Sequence, residues 1–204
     1  MNPNMPLETF LPPSHFPNTH MLLTKDWNGM NNGVFFIRVH PWSVQLLSAA
    51  IGYPSMNPDT ELYWQDQSAL MNIFKNSEYF SSRVQYCPPR WFNAYMRSKD
   101  GRSPNPDSPR LYQVKPGDLL VHFPGTLRED LNITLGPYMD IAEAHETEWE
   151  PGLEETGYIQ ETERFWDSIA RTGSVYEYPD TSGWRPCGSI TWIPWFYLCF
   201  CYKI

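Results

Sequence analysis

Three short stretches carry side chains that could do chemistry. The first, Trp27-Asn28-Gly29-Met30-Asn31-Asn32-Gly33, offers three carboxamides that form directional hydrogen bonds, and two glycines that let a ligand come close to the backbone. The second is Asp66-Gln67, at the expected start of a helix. From there a carboxylate can orient or deprotonate a sugar hydroxyl, and a neutral carboxamide can lie against a developing oxocarbenium centre. The third is His122-Phe123-Pro124-Gly125, at the end of an expected strand. There an imidazole can ligate a divalent metal and a glycine backbone can approach a phosphate. Each has a plainer reading: a tight turn before a strand, an Asp that only caps its helix, and a structural histidine.

The elements that must hold these residues follow from the apolar pattern. Gly33–Val39 is a nearly continuous apolar run, which predicts a strand buried on both faces, as in parallel α/β sheets. His40-Pro41 opens a helix whose apolar face is Val44, Leu47, Ala50 and Ile51, with Gly52 and Pro54 stopping it. A second helix starts near Asp66 and buries Ala69, Leu70, Ile73 and Phe74. A short strand is expected at Arg83–Cys87 and another at Leu119–Phe123, launched by a type II turn at Lys115-Pro116-Gly117-Asp118. Residues 1–26, with five prolines, read as an extended loop. Ile159, Thr162, Phe165, Trp166 and Ile169 repeat at helical spacing and predict an amphipathic helix packed on the domain.

Composition bounds the function. The chain has 204 residues, 41% hydrophobic and 16% aromatic, enough for a real core and not a disordered polymer. The net charge of −8 is unevenly spread. Residues 1–128 carry eleven Lys/Arg against nine Asp/Glu, and residues 129–204 carry four against fourteen. The front can host an anionic ligand, the rear is a solvated acidic segment, and no basic tract points to nucleic acid. Cys87, Cys187, Cys199 and Cys201 lack zinc-ligand spacing. The apolar end, Ile190–Tyr202, is broken by Pro194 and too short for a bilayer span.

Taken in order, Asn-Asn-Gly-Val-Phe-Phe-Ile-Arg with Trp42-Ser43, then Asp66-Gln67-Ser68-Ala69-Leu70, then His122-Phe123-Pro124-Gly125 resemble glycosyltransferase family 34, the fungal galactosyl/mannosyltransferases, to which plant xylosyltransferases also belong. The similarity spans roughly residues 1–145. The resemblance implies an α/β GT-A (nucleotide-diphospho-sugar transferase) fold and a Mn²⁺-dependent retaining hexosyltransferase. It also implies a nucleotide-sugar donor, a glycan acceptor and a Golgi type II membrane anchor. Carried over by position, Asn32 and Gly33 match the loop facing the donor sugar, and Asp66 and Gln67 match the catalytic pair flanking the reacting sugar and acceptor. His122 matches a metal ligand, Gly125 the turn beside the diphosphate, and Arg128 stands near a family lysine, in a different register. Homo- or hetero-oligomers with other Golgi glycosyltransferases are a further expectation.

One family feature is absent: no Asp-x-Asp occurs in the sequence. In the family that motif lies just before a segment like Met1–Glu8. The expectation is therefore a partial GT-A fold lacking its nucleotide-binding half, with Met1 an internal methionine of a longer protein and the fragment inactive. The expected organisation is a transferase part at 1–145, an acidic helical segment at 146–171, and an aromatic-rich, poorly packed tail at 172–204. Cutting away half of a sheet should also leave at least one strand edge unpaired. The alternatives are a non-catalytic carbohydrate-binding remnant, with Trp27, Trp64, Trp91 and Tyr95 as aromatic platforms, or an inert truncated product.

Overall fold

Asp26 turns the chain back on itself. Its Oδ1 accepts from the Asn28 N–H at 2.6 Å and its Oδ2 from Asn31 Nδ2 at 2.8 Å, while Gly29 takes a φ of +100° that side chains resist. The result is a hairpin of β1 (Met21–Asp26) and β2 (Gly29–Arg38). In this computed structural model residues 2–173 and 198–202 are described. The described residues form two units, one of residues 14–87 and 198–202, the other of residues 2–13 and 88–173.

The hairpin unit continues through α1 (Pro41–Met56), α2 (Gln65–Asn76), α3 (Glu78–Ser81) and β3 (Val84–Cys87), and β4 (Leu198–Tyr202) joins its sheet. The strand order is β3-β1-β2-β4. β1 and β2 are antiparallel, whereas β3 runs parallel to β1 and β4 parallel to β2. Met21, Leu23, Phe35 and Ile37 from the sheet bury against Trp42 and Leu46 of α1 and Leu70, Ile73 and Phe74 of α2. Burying each such side chain contributes roughly 1.5–3 kcal/mol before entropy is counted.

Several expectations are corrected here. Residues 1–26 are not a loop: they hold a 3₁₀ turn at Leu7–Phe10 and β1, whose Lys25-Asp26 end masked its apolar start. The strand begins at Gly29, not Gly33, because the Asp26 turn closes at Asn28 and leaves Asn31 and Asn32 in the strand. β2 is buried on both faces, but in a mixed sheet, with β1 on one side and β4 on the other. Helix α1 runs on to Met56 with Pro54 inside it, and it buries Trp42, Ser43 and Leu46 instead of the predicted face. The expected tail, apart from Thr172, Gly173 and Leu198–Tyr202, lies outside the described residues.

His20 is buried in this unit, its ring stacked on His40 with centroids 4.1 Å apart and Trp42 at 5.4 Å. Burial first, then the positive charges of His40, Arg38 and Arg83, lower its pKa from 6.5 to about 4. The folded protein thus binds fewer protons than the unfolded chain, so this contribution is fully present above pH 6.5 and is lost as pH falls through about 4. The thermal midpoint should fall over that window, and His20→Phe should make the fall shallower; an unchanged profile in the variant contradicts this.

The second unit is built around aromatic contacts. Phe10 meets Trp91 at 5.7 Å and the Tyr158 ring edge-on at 5.0 Å. Its helices are α4 (Pro89–Phe92), α5 (Leu131–Glu143), α6 (Leu153–Thr156) and α7 (Tyr158–Thr172). α7 is the predicted amphipathic helix and buries Tyr158, Thr162, Phe165, Trp166 and Ile169. The turn at Lys115–Asp118 forms, with Gly117 at φ +87° and the Asp118 N–H on the Lys115 carbonyl. It delivers a buried carboxylate: Asp118 accepts from Arg90 at 3.0 Å, from the Tyr158 hydroxyl at 2.7 Å and from the Lys115 N–H at 2.8 Å. Arg90 also reaches Glu161 at 2.6 Å, which in turn accepts from Trp91 Nε1 at 2.9 Å. The expected strand Leu119–Phe123 is absent. Leu119 and Leu120 are buried by side-chain packing, and pairing is limited to isolated bridges of Tyr95 with Gln113 and His122.

Candidate functional site

In the hairpin unit the register between β1 and β2 breaks. Leu22 pairs with Phe36 and Thr24 with Asn31, so two steps along β1 span five along β2. Residues 32–35 lie opposite Leu23 alone and bulge, and bulges re-aim side chains beside functional sites. Asn31 braces the bulge, its Nδ2 on Asp26 and its Oδ1 accepting from the Gly33 N–H at 2.8 Å.

The bulge delivers Asn32 to the start of α2. Asn32 Nδ2 donates to Asp66 Oδ2 at 2.8 Å, and the Asn32 N–H donates to Gln67 Oε1 at 3.3 Å. Asn32 is 2% exposed, and its amide oxygen is buried with no donor among the described residues. A buried acceptor without a donor is uncommon and marks a place where a ligand hydroxyl can be satisfied. Asp66 and Gln67 are half-buried, so the cluster keeps a solvent-facing side.

Asp66 is not the helix cap. The capping position is Trp64, which makes no side-chain cap bond, and Asp66 sits inside the first turn. Helix α2 begins through Gln65 at φ +32°, a strained conformation for a residue with a side chain. The Trp64 N–H is satisfied by Ser68 Oγ at 2.9 Å instead. Asp26 and Gln65 belong to this site as well, although the residue pattern does not single them out. The Asp26-x-Asn28-Gly29 spacing could have signalled the turn, whereas nothing local signals the strain at Gln65.

His122, Gly125 and Arg128 lie on one segment of the other unit. His122 is half-buried, with its Nδ1 fully buried, and that burial lowers its pKa from 6.5 to about 4, leaving a neutral imidazole. Its backbone pairs with Ala94 and Met96, and its ring meets Tyr95 at 5.5 Å. Gly125 turns the chain at φ +68°, and Arg128 is exposed. Among the described residues no group of three His, Cys, Asp or Glu side chains is placed to hold a metal ion. One imidazole is a ligand and not a metal centre, so these residues do not by themselves fit Mn²⁺. Of the four aromatic platform candidates, Trp91 and Tyr95 are buried and cannot stack on a saccharide, while Trp27 and Trp64 are half-buried in the hairpin unit.

Asn32, Asp66 and Gln67 thus form one hydrogen-bonded cluster with a solvent-facing side, and the comparisons with known proteins give the family of the chain that holds it. The model of the galactosyl transferase GMA12/MNN10 family matches residues 10–129, and the chain belongs to this glycosyltransferase family. Over 106 residues it is 29% identical to the probable alpha-1,6-mannosyltransferase MNN10 of Saccharomyces cerevisiae, a match that covers 51% of this chain and 26% of that protein. The chain thus spans about a quarter of the length of that curated relative. No solved structure matches. No helix among the described residues is long and apolar enough to cross a membrane.

Proposed function

We propose that this chain is part of a Golgi hexosyltransferase of GT-A fold that moves galactose or mannose from a nucleotide-sugar to a glycan acceptor with retention. The carrying observation is the hydrogen-bonded cluster of Asn32, Asp66 and Gln67. In this reading Asn32 Nδ2 fixes the Asp66 carboxylate through a charge-assisted bond, leaving the buried Asn32 oxygen to accept from a sugar hydroxyl. Asp66 orients the acceptor or sugar hydroxyl, and Gln67 turns the negative end of its amide dipole toward the oxocarbenium-like centre. Gly33 keeps the backbone beside the sugar open. Gly125 and Arg128 would meet the diphosphate, and His122 would supply one ligand to a divalent metal whose other ligands are not among the described residues.

We also propose that the 204 residues alone do not turn over, because a fixed coordination sphere needs more than His122. Incubated with UDP-galactose or GDP-mannose, Mn²⁺ and a manno-oligosaccharide, the chain should release nucleotide no faster than buffer. Sugar transfer at enzyme-like rates would contradict this.

A further inference from the structure

Of the twelve asparagines in the sequence, Asn132 alone is followed two positions on by a serine or threonine, in Asn132-Ile133-Thr134. With a residue other than proline in the middle, that triplet is the acceptor pattern for an N-linked oligosaccharide. The triplet arises readily by chance, so its surroundings have to carry the argument. Asn132 lies in the first turn of α5 and is exposed, and Ile133 beside it is 75% exposed. Among the described residues the Asn132 carboxamide makes no hydrogen bond, so a substituent on its nitrogen breaks no contact.

A bulky substituent also needs room along the helix. Residues at i, i+4 and i+7 share a face, which lines Gly136 and Met139 up with Asn132. At Gly136 no other part of the described protein comes within 4 Å of where a side chain would begin, and Met139 is 52% exposed. Bare backbone and exposed apolar side chains thus form a strip beside Asn132 that a sugar ring can cover. The order of events follows from the helix. Residues two apart on a helix point to different sides, and Thr134 is half-buried. A transferase that reads both the amide and the hydroxyl must therefore meet this segment extended. Gly136 and Pro137, inside α5, are the two residue types that least favour a helix, which keeps the segment open until α5 packs.

We propose that Asn132 carries an N-linked oligosaccharide, added in the lumen of the secretory pathway while the segment is still extended; this rests on the Golgi location proposed above. The donor class is an oligosaccharide joined through a diphosphate to a lipid. Asn132 Nδ2 bonds to the anomeric carbon of the first sugar, and the bond from that carbon to the diphosphate oxygen breaks. The lipid diphosphate leaves with the electron pair, and the amide nitrogen gives up one of its two protons to solvent. In the folded protein the oligosaccharide shields Ile133 and Met139, two of the large apolar side chains that α5 otherwise exposes.

The test sends the full chain into the secretory pathway of a eukaryotic host behind a cleavable signal, with a reporter acceptor triplet in a C-terminal tag. The wild type should show one more glycosidase-sensitive gel shift than the reporter alone gives, and peptide mass spectrometry should place it on Asn132. Asn132→Gln and Thr134→Ala should lose that shift, and Thr134→Ser should keep it. A modified reporter on a wild-type chain whose Asn132 is bare overturns the proposal at the site itself. The same peptide is then measured in the natural protein, isolated from the cells that make it, where Asn132 should also be modified. A bare Asn132 there, with the signal-directed chain modified, overturns the proposal through the Golgi location and not through the acceptor site.

Discussion

Replacing Asp66 by Asn, at this position of a longer, active family member, should lower kcat by about 10²–10⁴, the range for removing a general acid–base group, with little change in thermal midpoint. The substitution separates chemistry from structure because the Asn carboxamide still offers an oxygen to Asn32 Nδ2, 2.8 Å from the present carboxylate. What it removes is the charge. As a structural element Asp66 contributes a helix-dipole interaction of about 0.3–1 kcal/mol, and it is not the cap of α2. Gln67→Ala removes a long hydrogen bond from the Asn32 N–H and should cost about 1 kcal/mol in stability, again with a much larger fall in kcat. Full activity in both variants would return the pair to a structural role.

The second large effect is on stability. Asp118→Ala should destabilise the unit containing α4 and α7 by about 3–5 kcal/mol, the cost of stripping one partner from a buried ion pair. Asp118 is 3% exposed and accepts from Arg90, Tyr158 and the Lys115 backbone, so its loss strands three donors at once. Asp118→Asn keeps an acceptor in place and should cost less. Urea denaturation reads both, against a usual total of about 5–15 kcal/mol for a domain. A loss below about 1 kcal/mol for Asp118→Ala would mean that the Arg90 network contributes little, as exposed ion pairs do.

This network also shows where the sequence stopped being legible. Period and capping signals located α1, α2 and α7, because an amphipathic stripe is a local property. The Lys115–Asp118 turn was readable for the same reason. That Asp118 ends up between Arg90 and Tyr158 depends on residues 28 and 40 positions away, which no local pattern encodes. Leu119–Phe123 looked like a strand because buried apolar runs and strands share a composition, although only the His122 bridge formed.

At the site, the residue types were legible and their relations were not. Asn32, Asp66 and Gln67 could be picked out, but the bulge that joins them arises from a register break between two strands, one of which was read as loop. Asp66 looked like a cap because Asp often is one. The strained Gln65 displaces the helix start by a turn position and frees the carboxylate for Asn32. The outer face of α1 was misread in the opposite sense, since apolar periodicity reports a buried face without saying what buries it.

The site itself is tested most directly by following the amide resonances of the chain during titration with GDP-mannose and UDP-galactose. Saccharide engagement should move the Asn32 side-chain amide and the backbone amides of Asn32, Gly33, Asp66 and Gln67, and Asn32→Ala should abolish those shifts while leaving the remaining spectrum folded. Saturable shifts that leave Asn32, Asp66 and Gln67 untouched would contradict the assignment of this cluster to the sugar.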